Sequence, residues 1–187
     1  KNGRKFLEKF KNDFWLDLKI NDIPQTALSA VDSLKDLKNC KYITVHASGG
    51  YEMLRAIKKK TKRINKNLKV LGVTILTSLN NKSLQDLGHT KSVRELVLKQ
   101  AGLIKKSGCD GIVCSAHEAI LVKKKYKKLL IITPGIRLPG DNSHDQERIM
   151  TPNQAFQNKV NGVVMGRSLI KGDIKNNMKR LIDHLNQ

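Results

Sequence analysis

A chain of 187 residues is long enough for one domain with a sizeable core and short for two. Its formal charge of +20 invites a nucleic-acid reading. Yet only eight of its 36 basic residues are arginine and 4% of all residues are aromatic, too few forks and stacking faces for specific recognition of nucleic acid. No apolar run reaches membrane-spanning length and no signal-peptide pattern opens the chain. Lys1 stands where an initiator methionine is expected, inside an amphipathic pattern, and the expectation is a piece of a longer protein. Three cysteines, Cys40, Cys109 and Cys114, lack CxxC spacing and read as small buried residues of a reduced, cytoplasmic protein.

In chain order, residues 1–12 (KNGRKFLEKFKN) pattern as a helix. Strands are predicted over 14–19, 42–47, 70–76, 111–114, 129–133 and 162–165. Helical patterns such as 28–37 and 93–108 separate them, and Gly108 is placed to stop the second. The lysine runs at 56–69 and 122–129 read as solvated helix faces and ends, with weak nonspecific polyanion binding as a side effect. Six β-then-α units imply a parallel sheet with right-handed crossovers, and no linker breaks 1–187 into more than one domain.

The unusual polar residues follow the strands, in DLKINDIPQT, HASGG, LTS, CSAHEA, TPGIRLPGDNSHDQ and GRS. Function at the C-terminal ends of parallel strands is expected in doubly wound sheets and in (β/α)8 barrels alike. No GxGxxG follows the first strand and no GxxxxGKS occurs, which argues against dinucleotide and P-loop sites. Six units alone are too few to close an eight-stranded barrel.

In FWLDLKINDIP, Asp17 and Lys19 are two apart, so a regular strand points both to one face, and Asp22 follows just past its end. Such an acid–base–acid array can hold a cationic proton donor beside a developing carbanion. On spacing alone a structural ion pair at a strand end is an equal reading.

Late in the chain, Arg137 follows one strand and Gly166-Arg167 the next. The last two strand-end loops of a (β/α)8 barrel often bind phosphate through backbone N–H groups and a cation, and Gly166 permits close approach. Gln146, in the polar loop between, can hydrogen-bond the same ligand. Thr77 and Ser78 end another strand and suit either a polar ligand or a helix cap. His46 is a candidate acid or base and equally a packed strand-end histidine. The remaining histidines lack metal-ligand spacing, and no nucleophile triad stands out.

These blocks together are specific. DLKINDIPQT resembles the D-x-K-x-x-D-I-P-x-T signature of the orotidine 5'-phosphate decarboxylases, and HASGG, GVTILTS, DGIVCSAHEA, TPGIR, GDNSHDQERIMTP and VVMGRS resemble the family's later blocks in the same order. The resemblance implies a (β/α)8 TIM barrel, with strands three to eight present in residues 1–187 as one N-terminally truncated domain. It implies decarboxylation of orotidine 5'-phosphate (OMP) to uridine 5'-phosphate (UMP) without metal or organic cofactor. Lys19 would protonate C6 of the pyrimidine and Asp17 would lie near the departing carboxylate. Asp22 and Thr26 would reach into the site of a second subunit, making the enzyme a cytoplasmic homodimer with composite sites. Thr77 would contact the pyrimidine. Pro134, Arg137, Gln146, Gly166 and Arg167 would complete the substrate site, the last four around the phosphate.

The chain departs from the family where Leu138 and Ser168 replace prolines. It also begins beyond an aspartate and a lysine that the family carries upstream. The alternatives are a sugar-phosphate decarboxylase or aldolase of the same superfamily, an inactive fragment, or a basic nucleic-acid-binding protein. The first of these wants an additional acidic metal ligand near the signature, and no extra acid sits close to DLKIND.

Overall fold

The computed structural model describes residues 2–141 and 148–187. In chain order the elements are α1 (Asn2–Lys9), β1 (Phe14–Ile20), α2 (Pro24–Asp32), β2 (Cys40–His46), a single 3-10 turn (Ala47–Gly49), α3 (Gly50–Ile64) and β3 (Lys69–Val73). They continue as α4 (Asn81–Asp86), α5 (Val93–Ser107), β4 (Gly111–Val113), α6 (Ala116–Lys125), β5 (Leu130–Thr133), α7 (Pro152–Gln157), β6 (Gly162–Val163), α8 (Arg167–Ile170) and α9 (Ile174–Leu185). The chain forms two compact units, Lys1–Thr74 with Gln100–Ile112, and Ile75–Lys99 with Val113–Gln187.

In the first unit β1, β2 and β3 neighbour one another in chain order, with β4 next. The β1–β2 and β2–β3 pairs are parallel, and β2 meets β3 one for one from Tyr42–Lys69 to His46–Val73. Parallel strands are covered on both faces, so they read as apolar runs. Ile43, Val45, Val70 and Leu71 are accordingly buried, beneath Met53, Leu54 and Ile57 of α3 and Ile104 of α5. These α3 positions lie on one face at helical spacing, which leaves Lys59, Lys62 and Arg63 exposed. Gly72 is the point of closest approach, since a Cβ there would meet the Ile104 side chain.

In the second unit β5 and β6 pair in parallel, Ile132 with Gly162 and Thr133 with Val163. Ile131, Val122 and Ala119 form part of its core. α7 begins with a reciprocal capping box between Thr151 and Gln154.

One device recurs at the N-terminal ends of strands. Asp110 Oδ2 accepts the Val70 N–H that starts β3 (2.8 Å) and the Lys58 ammonium of α3 (2.5 Å). Asn161 Oδ1 likewise accepts the Ile131 N–H of β5 (2.9 Å) and Lys123 of α6 (3.3 Å). Each ties a strand start to the preceding helix, at the face of a parallel sheet associated with stability.

Two strands end earlier than their apolar runs suggest. β3 stops at Val73 because its partner β2 ends at His46. β6 stops at Val163 after a last bond from Val164 N–H to Thr133 (2.8 Å), since β5 gives way to Pro134. All three cysteines are free and buried, and burial pushes the Cys109 thiol up to about 11 and Cys114 up to about 12.

Candidate functional site

The first constellation stands at the end of β1. From Leu16 to Ile20 the strand spends four steps where β2 spends two, Ile43 to Val45. The surplus is a bulge in which Lys19 adopts φ +48°, a left-handed conformation uncommon for a residue with a side chain. The fully buried Thr44 of β2 holds it. Thr44 Oγ1 accepts the Lys19 N–H at 2.9 Å and donates to Asp17 Oδ1 at 2.7 Å. The Lys19 ammonium donates to Asp17 Oδ2 at 2.5 Å.

Asp17 and Lys19 therefore do meet, through a bulge rather than by the alternation of a regular strand. Their side chains are 52% and 44% exposed, and an ion pair so wet contributes little stability. Backbone strain held for so small a gain points to function.

Asp22 does not join the pair. Its N–H meets Met53 Sδ at 3.5 Å, and its Oδ1 accepts the adjacent Ile23 N–H at 2.7 Å. Asp22, in the bend before α2, and Thr26, on its first turn, are exposed. His46 ends β2, half-buried. Desolvation holds its imidazole below the usual pKa, and the Lys19 charge adds to this while Asp17 opposes it.

The second constellation lies in the second unit. Arg137 N–H donates to Met150 O (3.1 Å) and Met150 N–H to Gly135 O (3.1 Å), which joins the two limbs of the loop after β5. The first limb is tied by Asp141 to Arg180 of α9 at 3.0 Å, and the second by a buried ion pair from Arg148 to Glu118 of α6. Burial opposes ionisation of Asp141, but the Ser168 hydroxyl and Arg180 outweigh it and hold the carboxyl below its ordinary range.

Arg137 is itself buried, 6% exposed, with Nη1 donating to Ile136 O (2.9 Å) and Nε unpartnered. It lines a cavity of about 230 Å³ with Asp141, Arg167, Ser168, Lys171 and Arg180. Four cations against one carboxylate, with an unsatisfied buried donor among them, form a site for an anion. Nothing lies within 4 Å of where a Cβ on Gly166 would sit, so the backbone before Arg167 is open to a ligand. Thr77 is buried after β3, and Pro134 is partly buried after β5. Gln146 lies outside the described residues.

Leu138 and Ser168 are both buried, at 3% and 7% exposure. Thr44, Lys171 and Arg180 escaped the sequence reading. Thr44 looks like any β-former within a strand, and the two cations look like any others in a lysine-rich chain. Among the described residues no group of three or more His, Cys, Asp or Glu is placed to hold a metal, and no helix is long and apolar enough to cross a membrane.

The profile described as "Orotidine 5'-phosphate decarboxylase / HUMPS family" matches residues 2–179. The chain belongs to that family. Orotidine 5'-phosphate decarboxylase of Buchnera aphidicola (subspecies Schizaphis graminum) is 40% identical over 178 residues, covering 95% of this chain and 74% of that protein. The Escherichia fergusonii protein of the same name is 42% identical over 163 residues, 86% of this chain and 66% of its own. Among solved structures, that of orotidine 5'-phosphate decarboxylase from Lactobacillus acidophilus superposes with a TM-score of 0.78 at 30% identity, over 94% of this chain and 76% of that one. The enzyme of Methanocaldococcus jannaschii, solved with the inhibitor BMP, shares the fold with a TM-score of 0.75 at 21% identity, over 99% of this chain and 81% of that one. The fold is therefore that of the OMP decarboxylase family, an α/β fold of the TIM-barrel type. The profile's description joins two branches, and the relatives at 40–42% identity carry the name of the decarboxylase branch.

Proposed function

We propose that this protein is an orotidine 5'-phosphate decarboxylase, a carboxy-lyase of pyrimidine biosynthesis that converts OMP to UMP without metal or organic cofactor. The Asp17–Lys19 pair carries the reading. It is a strained, half-exposed ion pair at a strand end, in a chain whose named relatives are OMP decarboxylases.

Loss of carbon dioxide leaves an electron pair on C6 of the pyrimidine, and the Lys19 ammonium delivers a proton there. Asp17 holds that ammonium and faces the departing carboxylate. Its charge is unfavourable beside the substrate carboxylate and is relieved as carbon dioxide leaves. The anion cavity takes the 5'-phosphate on Arg137, Arg167 and the Gly166 backbone, with Gln146 added from the intervening loop. Thr77 and Pro134 contact the base and the substrate at the strand ends. Remote phosphate binding then stabilises the transition state at a carbon it does not touch.

In this reading β1 to β6 are strands three to eight of a (β/α)8 barrel and residues 1–187 one N-terminally truncated barrel domain, which the family profile over residues 2–179 supports. Asp22 and Thr26, exposed and unpaired with Lys19, suit a role in a partner subunit's site within a cytoplasmic homodimer. Nucleic acid and membrane are not partners in this reading.

The test is an ultraviolet assay for loss of OMP by the purified protein, with and without a chelator. Turnover unaffected by chelation is expected. Activity that vanishes with the metal would overturn the mechanism and favour the sugar-phosphate branch.

A further inference from the structure

We infer that Thr44 is a positioning residue for proton delivery, setting the Lys19 ammonium and the Asp17 carboxylate through a single hydroxyl. The inference rests on the proposed decarboxylase reading and adds to it a residue outside the D-x-K-x-x-D signature.

Lys19 reaches Asp17 by way of a left-handed backbone, φ +48°. An L-residue does not hold that conformation unaided, and the surrounding structure must impose it. Two residues of β1 have no counterparts on β2 here, so the ladder itself supplies no fixed partner across the bulge. Thr44 supplies it instead. Its Oγ1 accepts the Lys19 N–H (2.9 Å) and donates to Asp17 Oδ1 (2.7 Å). These two bonds use the single donor of the hydroxyl and one of its two acceptor lone pairs.

The consequence is a closed ring. The Lys19 backbone, the Thr44 hydroxyl, the Asp17 carboxylate and the Lys19 ammonium are linked in turn by three hydrogen bonds. Asp17 meets Thr44 with one carboxylate oxygen and Lys19 with the other, so the ammonium cannot swing without disturbing the bulge. Thr44 is fully buried on a strand paired with both neighbours, whereas Lys19 and Asp17 are about half exposed. A buried group thus fixes two half-exposed ones, the relation that a preoriented proton donor requires.

The experiment compares Thr44→Val, which keeps the shape and removes the hydroxyl, with Thr44→Ser, which keeps the hydroxyl. For each, kcat and KM for OMP are measured beside hydrogen exchange at the Lys19 amide. Thr44→Val is expected to lower kcat about a hundredfold, with KM little changed because the phosphate grip is elsewhere. Its Lys19 amide should exchange faster than in the parent protein. Thr44→Ser should restore both properties. Full kcat in a folded Thr44→Val protein, or equal losses in kcat in the two variants, overturns the inference. If the parent protein does not decarboxylate OMP, the functional reading fails, while amide exchange still decides whether Thr44 holds the bulge. Unchanged exchange in Thr44→Val refutes that role independently of activity.

Discussion

The Lys19 ammonium lies 2.5 Å from Asp17 Oδ2, yet the two residues are brought together by an irregularity of the strand and not by its pleat. A pair so exposed is worth too little to fold the protein, and its removal should cost chemistry rather than stability. Lys19→Ala is expected to lower kcat for OMP by about 10²- to 10⁴-fold, the range for loss of a general acid, while UMP still binds. Single-turnover kinetics with calorimetric UMP titration tests both halves.

The anion cavity makes a complementary prediction. Arg167 is exposed at the start of α8 beside the open Gly166, so its truncation leaves the core untouched. Arg167→Ala should raise KM for OMP about 10- to 100-fold, the loss of a charged hydrogen bond. Inorganic phosphate should inhibit the parent protein competitively and the variant much less. Equal inhibition of the two would place the phosphate elsewhere.

Stability should fall at the opposite ends of the strands. Asp110→Ala removes the acceptor of the Val70 N–H and of Lys58 together, leaving a strand-start donor unpaired. A loss of about 1–3 kcal/mol in urea unfolding is expected, with kcat per folded molecule unchanged. Gly72→Ala should cost about as much, because its new methyl meets Ile104.

His46 sets a direction for pH. Its folded pKa lies below the ordinary 6.5, so the unfolded chain binds the proton more readily. The stability it contributes is present above pH 6.5 and lost as pH falls through its folded value. Unfolding free energies measured between pH 7.5 and 5 should therefore decline less steeply in His46→Gln than in the parent protein. A steeper decline in the variant would reverse the assignment.

Much of this molecule was legible in its residues. The alternation of β-branched runs with amphipathic segments located the six strands of the described residues, since parallel strands buried on both faces are short and apolar. Their ends were less legible, because a ladder stops where its neighbour stops. Val73 ends β3 on account of His46, 27 residues earlier in the chain. The exposed lysines of α3 followed from helical period, but Lys58 did not. It was one of a run until Asp110, 52 residues away, singled it out.

The residues alone determined the order of the elements, the family and the identities of the charged groups at the strand ends, because periodicity, turn chemistry and ordered motifs are local properties of a chain. Only the tertiary structure decided how those groups stand. It replaced regular alternation at Asp17 and Lys19 with a bulge clasped by Thr44, turned Asp22 away, and buried Arg137 with one donor unspent beside a cavity. Each depends on a partner distant in sequence, and desolvation and register exist only once such partners have met.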